Sequence, residues 1–583
     1  MIASEVREML SFIDGNPTAY HTTAAVRDIL LKAGFTELLE SRKWALEPGK
    51  DYFVCRNGSS IIAFRMGDQL ENYSFNVAAA HTDSPCFRIK ENAEIHMGQN
   101  YTKLNTEGYG GMICATWMDR PLSVAGRVLV QENGAIVSRL VALDRDLLMI
   151  PSVAIHMNRE VNDKASFNKQ VDMLPVLGGA CEEGALKKLI AEELQVSEEQ
   201  ILGSDLFLYV REKATVWGCN EEFISCGRLD DQQCVYGILK GLLTAKNARS
   251  IGVAAFFDNE EVGSGTKQGA ASTFLYDVLH RIAQSLGGND EDFHRAVASS
   301  FMVSADNAHA VHPNHPEHTD VNNCTYMNKG VVIKTHAGQK YTSDGMSVAA
   351  ARELAARAGV PLQYFANRSD KVGGSTLGNL AMAQVSMNCV DIGLPQLAMH
   401  SCYETAGAED TLSLIKLMQE LYSSHFEETA FGTLSICLLA VLLLSVSALP
   451  SASALFSKKL YYYGVVEGVS RTVEGKVESI LVTAEEQETY QMIVTDSTVW
   501  QDHDEKTTSD PATLAVGEQI CVVHDPAVMM SLPPQSVAYT VIRNFPAGTD
   551  LEQEARDAAC PVKKFFADTR KAISDWFYQT MPI

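Results

Sequence analysis

Two apolar runs in this chain end in residue types that hold metal ions. In AAAHTDSP the run leads directly into His81, with Asp83 two residues on. A neutral imidazole suits a borderline ion such as zinc, and a carboxylate close by can hold the ring's other nitrogen. In IGVAAFFDNEEVGSG a second run ends in Glu260 and Glu261, followed by Gly263 and Gly265, which allow close backbone approach. Adjacent residues on a regular strand point to opposite faces, but in a turn after it one Glu can ligate while the other faces the cavity as a base. GRLDDQQ puts Asp230 at the start of a helix, VSADNAHAVHPN puts Asp306 after FMVS, and GLPQLAMHSCYE puts His400 after a further apolar stretch. Each alone has a plainer reading: a strand or helix cap, a turn residue, a partly buried His. Together, two His and three or four carboxylates at the ends of apolar runs match a two-metal hydrolase. One carboxylate bridges, each ion takes two more protein ligands, and an extra Glu activates water.

The elements that must position these residues alternate. Helical periodicity covers residues 5–13, 22–33, 185–194, 232–245, 272–286 and 345–358, while 75–80 and 252–257 read as buried strands. That alternation predicts an α/β fold, a mixed sheet covered by helices, with ligands at the carboxyl ends of its strands. Residues 92–219 carry more short β-like runs, such as 125–131 and 135–143, and read as an insertion between two parts of the catalytic domain, 1–91 and 220–430.

The 583 residues carry 48 Lys+Arg against 72 Asp+Glu, a net charge of −24, which argues against nucleic acid as a partner. The 13 Cys include no CxxC pair, so neither a disulfide framework nor a zinc knuckle is expected. The start, MIASEVREMLSFIDGN, lacks a basic region before an apolar core; a cytoplasmic location is expected for residues 1–430.

Composition changes near residue 430. LSICLLAVLLLSVSAL, residues 434–449, is uncharged and about four residues short of the roughly 20 that span a bilayer as a helix. Pro450 and the small-x-small Ala452-Ser453-Ala454 follow, so residues 431–454 read as a signal-like segment, a membrane anchor or a buried helix. The tail is accordingly expected to be membrane-associated or exported, if it is not the product of two joined reading frames. Residues 455–583 read as a small all-β module, with runs at 463–469, 476–483 and 490–495 and a final helix over 551–578. VGEQICVVHDP and SLPPQSVAY faintly resemble small β-barrel domains of secreted bacterial lipoproteins, in which setting Cys521 and Cys560 could pair.

Residues 1–428 resemble the aspartyl aminopeptidase family of cocatalytic dizinc metallopeptidases. The resemblance rests on an ordered series: HTDSPCFRIK, WMDRPLSVAGRV, AIHMNRE, RLDDQ, FDNEEVGSGTKQGA, SADNAHAVHPN, VVIKTHAGQKYTSD, GGSTLG and DIGLPQLAMHSCYE. It implies two Zn2+ per subunit, with Mn2+ or Co2+ as alternatives, bridged by Asp230. His81 and Asp306 would complete one ion's ligands, and Glu261 and His400 the other's. Glu260 would be the general base and Asp83 the residue that orients His81.

The same resemblance implies removal of an N-terminal Asp or Glu from peptides, with Lys334 of the VIK motif holding the acidic side chain. A neutral, Leu-type preference and a catalytically silent oligomeric relative are the alternatives. His156 matches a family His that reaches a neighbouring subunit's site from the inserted dimerisation domain, in an assembly of dimers into a dodecamer. In HPNHPEH, His312, His315 and His318 invite a metal reading, but the prolines favour a loop near the pocket, and only His312 matches a family position, one near substrate. DKVGGST and YGGMIC depart from the family pattern without removing a proposed ligand.

Overall fold

The structure is a computed structural model that describes residues 2–246 and 248–426, and in the tail 460–472, 476–483, 489–502, 510–516, 518–524 and 535–543. It divides into two compact units, 1–435 and 436–583.

The first unit is built on a nine-stranded mixed sheet in the order Thr36–Leu38, Asp51–Arg56, Ser60–Met66, Ile251–Phe257, Phe75–His81, Phe301–Ala305, Asn388–Gly393, Val331–Thr335, Leu362–Ala366. Side chains alternate across a strand, and here both faces are covered. Ala78, Ala80, Ala254, Phe256 and Val303 pack with helices Ala19–Lys32, Leu229–Thr244, Gly345–Ala358 and Asp410–Ser423. On the other face Phe75, Val77, Ala79, Val253 and Phe257 meet Phe274–Ser285, Asp290–Ala298 and Leu377–Gln384. Burial on both faces is why these strands are continuously apolar in sequence. The helices have local reasons to start and stop. Asp344 accepts from Ser347 N at 2.8 Å at the head of Gly345–Ala358, and Gly359 closes it with φ +65°.

Residues 86–210 form a second, six-stranded antiparallel sheet, ordered Ala135–Ala142, Leu122–Glu132, Ile201–Val210, Cys86–Met97, Tyr101–Tyr109, Val176–Gly178. Its first two strands are a hairpin across Asn133-Gly134, both at positive φ, the pair that a two-residue turn of this hand favours. A third, five-stranded sheet, which the sequence reading does not anticipate, is ordered Thr215–Trp217, Phe223–Cys226, Glu404–Gly407, Pro395–Leu397, Ala308–His309.

In the tail, Leu460–Arg471, Val477–Thr483, Thr489–Asp502, Gln535–Arg543 and Gln519–His524 close a five-stranded barrel in that order. Val466, Ile480, Val482, Met492, Trp500, Ile520 and Val522 fill it. The apolar segment 434–449, the expected helix 551–578 and Cys560 lie outside the described residues. No described helix is long and apolar enough to cross a membrane.

One buried acid makes the stability of the first unit pH-dependent. Asp410, 1% exposed, accepts from Asn328 N at 2.6 Å and Gly330 N at 2.9 Å. Burial pushes its carboxyl up to about 7, against the pull of those two donors. Its folded pKa thus exceeds its unfolded one of 3.8, so between about pH 4 and 7 the folded state keeps a proton that the unfolded state has released. The group's contribution to stability therefore falls as pH rises through that window and is flat above it. Asp410→Asn does not titrate, so its stability relative to wild type should rise by about 2 kcal/mol between pH 5 and 8. Urea unfolding at three pH values reads this; a constant difference would contradict it.

Candidate active site

The donors converge because neighbouring parallel strands end together. Phe75–His81 lies between Ile251–Phe257 and Phe301–Ala305, parallel to both, with His81 opposite Phe257. The chain leaves these three carboxyl ends at His81, at Asp258 to Glu261 and at Asp306. Helix Leu229–Thr244 supplies Asp230 from a first turn with non-helical dihedrals. His400 comes from the segment joining Pro395–Leu397 to Glu404–Gly407.

Asp230, 2% exposed, lies between two histidines. Its Oδ1 is 3.2 Å from His81 Nε2, and its Oδ2 is 3.5 Å from His400 Nε2. Glu261 Oε2 is 3.3 Å from the same His400 nitrogen. His81 Nδ1 meets the Asp83 carbonyl at 3.1 Å, and His400 Nδ1 meets the Gly111 carbonyl at 3.0 Å. A ring that donates through Nδ1 keeps its Nε2 lone pair for a ligand. The Gly111 contact is made by a backbone oxygen, so the side-chain departures in YGGMIC leave it in place.

Asp83 is the hub behind the donors. Its carboxylate accepts from Glu260 N at 3.1 Å, Glu261 N at 3.2 Å and the Tyr109 hydroxyl at 2.7 Å. Tyr109 in turn accepts from Asn259 Nδ2 at 2.8 Å. Because Tyr109 ends a strand of the second sheet, the inserted segment helps fix the turn that carries both glutamates. Glu404 does similar work from the third sheet, accepting from Asp230 N at 3.0 Å and His400 N at 2.8 Å. Asp231, fully buried, accepts from His81 N at 3.3 Å. Asp231, Tyr109 and Glu404 all stand within the quoted motifs, but Tyr109 meets Asp83 across 26 residues, Asp231 meets His81 across 150 and Glu404 meets Asp230 across 174, so no spacing signal singles them out.

The electrostatics are those of a site built around positive charge. Burial and the neighbouring carboxylates push Glu260 up to about 8 and Glu261 well above the usual range. Burial opposes charge on the two imidazoles as well, yet the carboxylates hold His81 well above its ordinary value and His400 at about 9. Asp230 Oδ1 and Glu261 Oε1 are buried and meet no donor in hydrogen-bond geometry. Buried oxygens without donors, one of them Asp230 Oδ1 facing His81 Nε2, fit cations of the zinc class. Among the described residues, the donor atoms of His81, Glu260 and Glu261, and those of Asp230, Glu261 and His400, lie within 4.8 Å of one another.

The other expected site residues are distributed differently. Asp306 lines the same cavity of about 200 Å³ as His81, Asp230, Glu260 and His400, but stands outside those donor groups, with its Oδ1 3.4 Å from Lys334 Nζ. Lys334 is 3% exposed, lines that cavity and donates to the Asn307 carbonyl at 3.0 Å. Burial drives its ammonium toward neutrality, but Asp306 and its neighbours hold the pKa above the ordinary value. His312 lines a separate cavity of about 290 Å³ that shares His309, Phe365 and Met399 with the first. His156 is exposed and lines neither. A larger cavity, about 410 Å³, meets the site only through residues behind the donors, such as Asp83, Asn259 and Glu404.

Comparison with known proteins agrees with this chemistry. A family model described as aminopeptidase I zinc metalloprotease (M18) matches residues 12–422. The chain is 46% identical over 423 residues to the probable M18 family aminopeptidase 2 of Clostridium novyi (strain NT), covering 71% of this chain and 98% of the relative. A chain in a cryo-EM structure of the Ape4 and Nbr1 complex superposes with a TM-score of 0.70 at 35% identity, covering 72% of this chain and 85% of that one. The S. cerevisiae mApe1 dodecamer gives a TM-score of 0.65 at 25% identity, covering 74% and 98%. On that match, and with its donors gathered at the strand ends, the chain belongs to the M18 family of zinc metallo-aminopeptidases.

Proposed function

We propose that this aminopeptidase is a cocatalytic dizinc enzyme that releases an N-terminal Asp or Glu from peptides and works as a homo-oligomer. The observation that carries the reading is Asp230, whose two oxygens face the ligating nitrogens of two different histidines, the arrangement a bridging carboxylate needs. His81 and Asp306 are assigned to one ion, and Glu261 and His400 to the other, with Asp306 turning from Lys334 to do so. When bound, two zinc ions polarise the scissile carbonyl and bring the pKa of a water down to about 7.

The chain's own residues supply the rest. Glu260 takes a proton from the attacking water and returns it to the leaving amine. Asp83 keeps His81 oriented and holds the Glu260–Glu261 turn by its backbone N–H groups. Lys334 offers a buried ammonium to a substrate carboxylate, a charge-assisted contact.

The ion pair that Lys334 already makes with Asp306 favours the second reading, a neutral-residue preference, because the ammonium is then spent on the site itself. The ratio of kcat/KM for Asp- over Leu-p-nitroanilide separates them in Lys334→Ala. Substrate recognition by Lys334 predicts a fall in that ratio of at least about tenfold, the value of one lost charge-assisted contact. Damage to the metal centre alone would lower both rates together and leave the ratio unchanged.

Oligomerisation is supported by the exposed segment around His156, where Val153, Ile155 and Met157 are 56%, 47% and 85% exposed in the single chain. Three large apolar side chains on one irregular stretch fit a contact with a second copy, and the dodecameric S. cerevisiae relative fits the same reading. His156 would then complete a neighbour's site.

A further inference from the structure

The segment HPNHPEH reads His-Pro-x-His twice, with His315 shared. Proline in the second position of a four-residue turn presets its backbone. Both turns close: His315 N donates to the His312 carbonyl at 3.0 Å, and His318 N to the His315 carbonyl at 3.2 Å. Bonding from i to i+3 gives three residues per turn, which eclipses side chains three apart. The imidazoles of His312, His315 and His318 therefore line up as a ladder, with ring centroids 5.4 and 5.5 Å apart, the first pair tilted and the second stacked. The loop is tied from outside by Arg368, which donates to the Glu317 carbonyl and pairs with Asp370.

In the first turn His312 Nδ1 accepts from Asn314 N at 3.2 Å, but the backbone bond of the second closes without any imidazole, and exposed rings add little packing. His315 and His318 on one edge call for another reason. Glu317 Oε1 lies 3.0 Å from His315 Nδ1, and ligand-capable atoms of His315, Glu317 and His318 all lie within 4.8 Å of one another. Tetrahedral zinc with bonds of about 2.1 Å wants its ligand atoms roughly 3.4 Å apart, a distance that side-chain rotations of these exposed residues can reach. Two imidazoles and a carboxylate form a donor set for borderline divalent ions and not for calcium or magnesium, which prefer oxygen alone.

We propose that His315, Glu317 and His318 form a separate site for one borderline divalent cation, of the zinc, nickel or copper class. It shares no residue with the catalytic donor set. It stands beside the catalytic cavity: His312 and His318 line the adjoining one, whose His309, Phe365 and Met399 are common to both. An exposed site with three protein ligands exchanges its ion with solvent, unlike the buried centre.

The test uses the full-length protein dialysed against buffered Zn2+ over a range of free concentrations. Wild type should hold one ion per chain more than the double variant His315→Ala/His318→Ala, and Glu317→Gln should need at least tenfold more zinc to fill the same site. Because the readout is a difference, it does not depend on how many ions the catalytic centre holds, so failure of the dizinc reading would look different. Peptidase activity of the double variant at limiting zinc should match wild type, which shows that it is folded. One equivalent of Cu2+ added to the zinc-loaded protein should give an electron paramagnetic resonance spectrum with imidazole nitrogen splitting, lost in the double variant. Equal zinc content in wild type and double variant, or a copper signal indifferent to the two substitutions, would overturn the proposal.

Discussion

Glu260→Gln should retain the full zinc content and lose nearly all turnover, about 10³-fold in kcat, within the 10²–10⁴ range typical of a general base. Gln is close to isosteric, so Glu260 N keeps its bond to Asp83 and the turn survives. What is lost is the ability to take and return a proton. On the proposed reading, Glu260 works as a base once cations are bound. Burial, with the carboxylates of Asp306, Asp83 and Asp230, raises its carboxyl to about 8 against the pull of His81, and it moves back toward the ordinary range when more positive charge enters the group. A variant that kept wild-type rates with its metal intact would move the proton transfer to another residue.

Chelation should have an effect at least as large and should also reach stability. Asp230, Asp231, Glu260, Glu261, Asp306 and Glu404 crowd one region with two imidazoles, and all of these carboxylates but Asp230 are held above their ordinary values, chiefly by burial. An ion bound at 1,000 times its dissociation constant stabilises the folded state by about 4 kcal/mol. Stripping the protein with a strong chelator should therefore abolish hydrolysis and lower the melting temperature of residues 1–426 by several degrees. Returning Zn2+ should restore both. Rates that survive with less than 0.1 zinc per chain remaining would contradict the account.

Much of this site was legible in sequence because its donors stand at the ends of apolar runs. His81, Asp306 and the Glu260–Glu261 pair follow directly on central strands of one sheet. Their convergence needed only those strands to be parallel neighbours. Pairing of residues far apart was not legible. Tyr109 reaches Asp83 from the second sheet, and Glu404 reaches Asp230 from a third sheet that contains strands of two to four residues, too short to carry a periodic signal. Helix Asp410–Ser423 is different. Leu414, Leu417, Met418 and Leu421 recur at helical spacing and are buried, so its pattern was available, yet the sequence reading leaves that stretch without an element. Asp290–Ala298 and Leu377–Gln384, at nine and eight residues, offer little more than two turns of pattern each. Register within the second sheet came partly from one local signal, the Asn133-Gly134 turn, and otherwise depends on pairings such as Phe207 with Ala125 that no local rule specifies.

Zinc-loaded full-length protein given Asp-, Glu- and Leu-p-nitroanilide should release p-nitroaniline, with Asp or Glu favoured over Leu, if it is the proposed acidic-residue aminopeptidase. No release from any of the three, from a folded oligomer whose metal content has been verified, would contradict that reading.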